Sequence, residues 1–211
     1  MPVGVAVGRL QQMTDDSRLD DARAAELRHR TANTFQLMSA LARMRSQRAG
    51  EPEARRQLVW MADAIGSLGA LERHRRDEGV DFCAYLEEMI PVWGRRGGEG
   101  RAKVALEVEP IMAPDQAAST LALIVQELVG NALAHGYGEG RSGVVRICLS
   151  SNEAGRYELA VIDDGCGFDP GSPAARERFG LWFVRSLAAQ VRGDFKLETR
   201  PSVTARLAFS L

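Results

Sequence analysis

Apolar residues in the first third of the chain recur at three- and four-residue spacing, which predicts two helices. The first begins near Asp20, where acidic residues favour a helix N-terminus. It ends near Gly50, and Pro52 suits the first turn of the next helix. The first stripe is Leu27, Thr31, Thr34, Leu37, Met38, Leu41 and Met44; the second is Leu58, Met61, Ile65, Leu68 and Leu71. Two similar helices joined by a short loop predict an antiparallel hairpin.

A single hairpin cannot bury both of these apolar stripes. Pairing with a second copy as a four-helix bundle would cover them, and this predicts a homodimer. Packing of the hairpin on the rest of its own chain is the alternative.

The remainder of the chain alternates between strand and helix patterns. We expect helices at Phe82–Val92, Pro114–Leu133 and Phe183–Val191, a loop at Gly94–Arg101, and strands at Lys103–Val108, Gly143–Leu149, Tyr157–Ile162, Phe195–Thr199 and Ala205–Ser210. This order predicts an α/β sandwich with helices on one face of a mixed sheet. The predicted class is therefore α+β, with a flexible N-terminal segment at 1–19, the hairpin at 20–77 and the sandwich at 78–211.

Composition narrows the possible partners. The 211 residues carry a net charge of −1, without the basic excess that a nucleic-acid partner would require. We find neither a signal peptide nor an apolar run approaching the ~20 residues that span a bilayer, so no membrane insertion is expected. Three widely spaced cysteines favour a reduced, cytoplasmic protein. We expect Trp60, Trp93 and Trp182 in the core.

The first patch with chemical potential lies on the first helix. Glu26, His29, Arg30 and Asn33 are three, four or seven residues apart and share one helix face. A neutral imidazole can attack phosphorus while a nearby acid or amide orients its other nitrogen. A solvated surface histidine is the alternative.

The second patch ends the apolar helix at Leu121–Leu133. Glu127 and Asn131 are four residues apart, and a carboxylate beside an amide oxygen suits Mg²⁺. The alternative is a polar helix side turned to solvent. His135 either faces a ligand bound at this patch or caps its helix.

The third patch follows an apolar strand as Asp163-x-Gly165-x-Gly167. The glycines let backbone approach a planar ligand, and the carboxylate can accept a hydrogen bond from an exocyclic amine. An ordinary strand-to-turn exit is the alternative. Further on, Gly180-Leu181 opens a helix, whose N-terminus suits phosphate.

In this order the patches resemble the histidine kinases, most closely the HWE-type group with its His-Arg-x-x-Asn acceptor motif. The segment Leu121–Gly136, LALIVQELVGNALAHG, is similar to the nucleotide-binding helix of that group. The resemblance spans about residues 20–211. It implies a dimerising hairpin followed by the Bergerat-type ATP-binding sandwich shared with DNA gyrase.

The resemblance also implies roles and partners. His29 would accept the phosphoryl group, Asn131 would bind Mg²⁺ with support from Glu127, and Asp163 would bind the adenine amine of ATP. Gly165 and Gly167 would flank the base, and Gly180 would lie at the phosphate end. The implied partners are a response-regulator receiver domain, a second copy of the chain and a separate sensor protein.

Three departures from the family pattern affect the phosphate end. Ala134 replaces a basic residue, Arg178 replaces a glycine, and Ser202-Val203-Thr204 replaces a late Gly-Thr. Arg178 could supply the missing positive charge. Two other functions stay open. One is a histidine phosphotransfer protein with a degenerate nucleotide site. The other is an anti-sigma-factor-like binding protein, which would not explain the hairpin.

Overall fold

The computed structural model describes residues 3–97, 102–138, 141–152, 155–169 and 179–211, with the side chains of the first helix from residue 22 onward. Two antiparallel helices form the hairpin, α1 at Val3–Arg48 and α2 at Pro52–Arg73. The expected start of α1 near Asp20 is wrong, since no proline or glycine interrupts residues 9–48 and the helix continues back to Val3. Ser39 donates to the Ala62 carbonyl across the hairpin at 2.7 Å.

A small antiparallel sheet joins the hairpin to the rest of the chain, and sequence patterning did not predict it. Its strands are β1 (Arg75–Arg76), β2 (Gly79–Asp81) and β4 (Met112–Ala113), in the order β1-β2-β4. Strands of two or three residues are too short to show alternation.

The main sheet confirms the predicted mixed sandwich. It contains β3 (Ala102–Val108), β5 (Gly143–Ser151), β6 (Tyr157–Asp163), β7 (Asp194–Glu198) and β8 (Thr204–Phe209). Their order is β3-β5-β6-β8-β7, with β3 and β5 parallel and the other neighbouring pairs antiparallel. Three helices pack against this sheet: α3 (Phe82–Gly97), α4 (Asp115–His135) and α5 (Phe179–Gln190).

Helix α3 continues through residues expected to form a loop. The loop prediction is wrong for Gly94 to Gly97, which extend the helix beyond Pro91. Trp93 explains the extension, because its ring is fully buried and its indole N–H donates to Gln126 Oε1 at 3.0 Å. Packing against α4 therefore outweighs the local helix-breaking residues.

Helix α4 is the central helix of the core. It is long and apolar enough to cross a membrane by length and composition alone, contrary to the sequence expectation. Most of its residues, including Leu121, Ile124 and Val125, are buried inside the fold. Burial against the sheet accounts for that apolar composition.

The hairpin packs on its own chain mainly through α2. Helix α2 contacts α3 and α4, and Ser67 Oγ shares a buried 2.6 Å hydrogen bond with the Tyr85 hydroxyl. The α1 stripe remains exposed at Leu27, Leu37, Met38, Leu41 and Met44. Packing on the same chain therefore applies to α2, whereas pairing with a second copy stays a prediction for α1.

Candidate functional site

The polar face of α4 is not turned to solvent. Glu127 is only 8% exposed, and its carboxylate accepts two hydrogen bonds. Asn131 Nδ2 donates to Glu127 Oε1 at 2.7 Å, and Trp60 Nε1 donates to Glu127 Oε2 at 2.5 Å. The first bond arises from the four-residue helical spacing, whereas the second joins α4 to the hairpin.

The start of α5 lies directly against this carboxylate. A Cβ at Gly180 would overlap Glu127 Oε1 and approach Asn131 Nδ2 to 3.2 Å. Phe183, one turn along α5, meets the Trp60 ring edge-to-face at 5.3 Å. Glycine at this position therefore lets α5 approach the Glu127–Asn131 pair more closely than any other residue would.

Asp163 ends β6 as a buried carboxylate, 3% exposed. Its Oδ1 accepts hydrogen bonds from the amides of Gly165 at 2.9 Å and Val203 at 3.4 Å. Burial raises the pKa of Asp163 above the ordinary aspartate value, although these two amides oppose the shift. Because both bonds fall on Oδ1, Oδ2 can accept a hydrogen bond from a ligand.

The two glycines after Asp163 have separate steric roles. Gly167 adopts a positive φ of 64°, which favours glycine. Gly165 packs against the Gly136 backbone, where a Cβ would overlap the carbonyl oxygen. The Cys166 amide donates to that same carbonyl at 3.0 Å. The turn after β6 is thus held against the end of α4.

These elements enclose one pocket. Its lining combines the end of α4, the Asp163 turn, the start of α5 and the last two strands. The lining residues are Leu128, Asn131, Ala132, His135, Gly136, Val161, Asp163, Gly167, Phe168, Leu181, Leu197, Val203 and Ala205. Most of these side chains are apolar, and Asp163 is the one carboxylate among them, so the lining suits an apolar ligand that carries a hydrogen-bond donor.

A second cleft opens beyond Asn131, between α4 and the hairpin. Asn131 and His135 line both cavities, so the two are adjacent. Glu127, Trp60 and Ala134 line only the cleft. In the described part of the chain no three His, Cys, Asp or Glu side chains form a metal-binding group. One carboxylate and one amide oxygen nevertheless match Mg²⁺, which prefers few protein oxygens plus water and phosphate.

The four residues of the first patch lie together on an exposed face of α1. Arg30 pairs with Glu26 at 2.7 Å, and the Asn33 amide nitrogen lies 3.2 Å from His29 Nδ1. They do not join the pocket. Arg43 pairs with Asp63 at the level of Trp60, so the 14 residues from His29 to Arg43 separate the imidazole from that level by ~20 Å along α1.

Trp60 is the site residue that the sequence reasoning missed. It was expected in the core, yet its N–H reaches the Glu127 carboxylate. The sequence could not predict this contact because 67 residues separate Trp60 from Glu127. Arg178 lies outside the described residues. Ala134 is exposed at the mouth of the cleft, where the family resemblance led us to expect a basic side chain.

Comparison with known proteins separates the chain into two matched regions. Residues 26–92 match a family described as histidine kinase, and residues 101–204 match the histidine kinase-like ATPase domain. A blue-light-activated histidine kinase of Erythrobacter litoralis is 27% identical over 78% of this chain and 50% of its own length. The sensor histidine kinase PdtaS of Mycolicibacterium smegmatis is 25% identical over 95% of this chain and 42% of its own. The chain thus spans about half the length of the curated relatives it matches.

A solved structure shows the same fold. The histidine kinase domain of an Erythrobacter litoralis blue-light-activated kinase superposes with a TM-score of 0.68 over 89% of this chain and 94% of that one, at 21% identity. The predicted hairpin and mixed-sheet sandwich are confirmed by this superposition. The two matched families, which together span most of the chain, show that it belongs to the histidine kinases.

Proposed function

We propose that this chain is the catalytic core of a two-component histidine kinase that transfers the γ-phosphoryl group of ATP to His29. The observation that carries the proposal is the pocket itself. It places the buried Asp163 carboxylate and Asn131 on one continuous surface, with the Glu127 carboxylate one turn away. One wall thereby suits an adenine ring and the other suits a metal-bound phosphate.

The nucleotide would bind with its base against Gly167 and its amine donating to Asp163 Oδ2. The Asn131 Nδ2–H group already donates a hydrogen bond to Glu127 Oε1, and this fixes the amide orientation. Its oxygen and the Glu127 carboxylate would then hold Mg²⁺, which neutralises phosphate charge when bound. Gly180 would bring the α5 N-terminus to the phosphates, where helical N–H groups favour anions.

His29 would act as the nucleophile through Nε2. The Asn33 side chain already meets Nδ1 at 3.2 Å. Turned so that its oxygen faces the ring, this amide accepts the Nδ1 proton and leaves the lone pair on Nε2. The Arg30–Glu26 pair lies on the same face of α1 and would keep a cation near the incoming phosphate.

Transfer requires a change of arrangement, because His29 lies ~20 Å along the hairpin from the level of Glu127. Either the ATP-binding domain moves along the hairpin, or His29 of a second copy supplies the acceptor. The exposed α1 stripe supports a dimer. Mixing His29→Ala with Asn131→Ala protein separates the two routes, since labelled His29 in the mixture requires transfer between chains.

Incubation with γ-labelled ATP and Mg²⁺ tests the proposal. We expect acid-labile, alkali-stable label in the wild-type chain and none in His29→Ala or Asn131→Ala. Asn33→Ala should slow labelling without abolishing ATP binding. Absence of label from ATP, with label accepted at His29 from a phosphorylated receiver domain, would instead establish the second candidate.

That second candidate is a phosphotransfer protein that does not use ATP. The observation in its favour is Ala134, which leaves α4 without a cation at the cleft. In either case histidine kinases in general dimerise and exchange phosphate with a receiver domain, so we propose both partners here. A separate sensor protein and a cytoplasmic location belong to the same proposal, and free Cys83, Cys148 and Cys166 agree with a reducing compartment.

A further inference from the structure

The cleft beside Ala134 contains cations that belong to other elements. Arg55 and Arg56 of α2 and Arg96 of α3 line it, facing Asn131 and His135 on α4. Since Asn131 and His135 also line the base pocket, a chain of phosphates leaving that pocket past Asn131 would enter the cleft. The hairpin and α3 therefore bring positive charge to the place where α4 has none.

The arginines differ in how far they are neutralised. Arg55 donates to the neutral carbonyl of Ala49 at 3.1 Å, and within the described residues no carboxylate pairs with it. Arg56 pairs with Glu53 on its own helix. Arg55 thus brings a charge that is not balanced locally.

Asp63 is shared by two arginines. Arg96 and Arg43 both pair with its Oδ1, so one carboxylate, 9% exposed, faces two guanidinium groups. Burial lowers the pKa of Arg96 to about 10, and the neighbouring Arg43 contributes to the same shift. A further anion at this point would relieve that excess of positive charge.

We propose that Arg55 and Arg96 bind the polyphosphate of the nucleotide and replace the basic residue absent at position 134. This inference rests on the proposed ATP-dependent function. It makes the hairpin part of the nucleotide site. Affinity for ATP would then depend on hairpin docking, whereas affinity for the base alone would not.

The test measures dissociation constants for Mg·ATP and for adenosine by calorimetry, at low and high salt. Arg55→Gln is the main variant because Arg55 is exposed and, among the described residues, its side chain donates only to a backbone carbonyl. We expect about tenfold weaker ATP binding, the usual loss for a charged hydrogen bond, with adenosine binding unchanged. Arg55→Lys should restore part of the affinity because it keeps the charge.

Arg96→Gln should give a similar loss, and Arg45→Gln, on the exposed side of α1, serves as the matched control. Inorganic tripolyphosphate should compete with ATP in the wild type and more weakly in Arg55→Gln. Equal ATP affinity in wild type and both glutamine variants, with ATP still preferred over adenosine, would overturn the inference and leave the kinase proposal intact. A wild-type chain that binds neither ATP nor adenosine would overturn both.

Discussion

Replacing Trp60 with phenylalanine isolates the contact between the hairpin and the nucleotide site. The substitution keeps an aromatic ring beside Phe183 and removes the N–H that reaches Glu127 Oε2 at 2.5 Å. A hydrogen bond to a charged group contributes about 1.5–3 kcal/mol net. The carboxylate is 8% exposed, so water cannot easily replace the lost donor. We therefore expect the free energy of unfolding to fall by an amount in that range.

A double-mutant cycle measures the coupling directly. The wild type, Trp60→Phe, Glu127→Ala and the double variant are unfolded in urea and followed by circular dichroism at 222 nm. The cycle should give a coupling energy of about 1.5–3 kcal/mol, since general losses of packing cancel between its two sides. A coupling below ~0.5 kcal/mol, the usual additivity error, would refute the reasoning.

The same substitution should affect catalysis in the opposite direction. For transfer within one chain the docked arrangement must open first, because His29 lies ~20 Å along the hairpin from the level of Trp60. Weakening the docked state by 1.5 kcal/mol raises the open fraction about tenfold while that fraction is small. Initial labelling of His29 in Trp60→Phe should rise accordingly, and a rate at or below the wild-type value would show that docking does not limit transfer.

Three further substitutions test other parts of the fold. Asp163→Ala should weaken ATP binding by about 10- to 100-fold through loss of a charged acceptor, with Asp163→Asn as the folding control, as measured by calorimetry. Gly180→Ala should destabilise the protein by about 1–3 kcal/mol in urea, because its Cβ overlaps the Glu127 carboxylate. Glu88 on α3 pairs with Arg73 at the end of α2. Burial raises the pKa of Glu88, but hydrogen bonds, chiefly from Arg73, lower it overall. That stabilisation exists above the unfolded pKa and is lost as the pH falls through the folded pKa. Glu88→Gln should therefore cost up to ~1 kcal/mol at pH 7 in urea unfolding, and the cost should shrink as the pH falls below the unfolded glutamate pKa.

The local parts of the site were accessible from sequence. Glu127 and Asn131 meet because helical spacing brings residues four apart together, and Asp163 and Gly165 meet because a turn follows a strand. Their shared pocket followed only from the family resemblance, since nothing in the spacing relates α4 to the end of β6. Periodicity likewise predicted the hairpin and the main sheet.

What sequence could not provide were contacts between distant segments. Trp60 and Glu127 are 67 residues apart, and the pattern of neither helix predicts their hydrogen bond. The extension of α3 past Pro91 depends on the burial of Trp93 against Gln126, a tertiary contact that outweighs local preference. Trp182 shows the opposite error, because it was expected in the core and is 62% exposed.

The fluorescence of these three tryptophans should report on three different parts of the structure. Trp182 is open to solvent and should be quenched by acrylamide or iodide in the native protein, whereas the buried Trp93 should resist both until the core unfolds. Trp60 sits beside a carboxylate and an aromatic edge, so its emission should change when α2 leaves α4. Variants that each keep a single tryptophan would therefore report solvent exposure, unfolding of the core and docking of the hairpin as separate fluorescence signals.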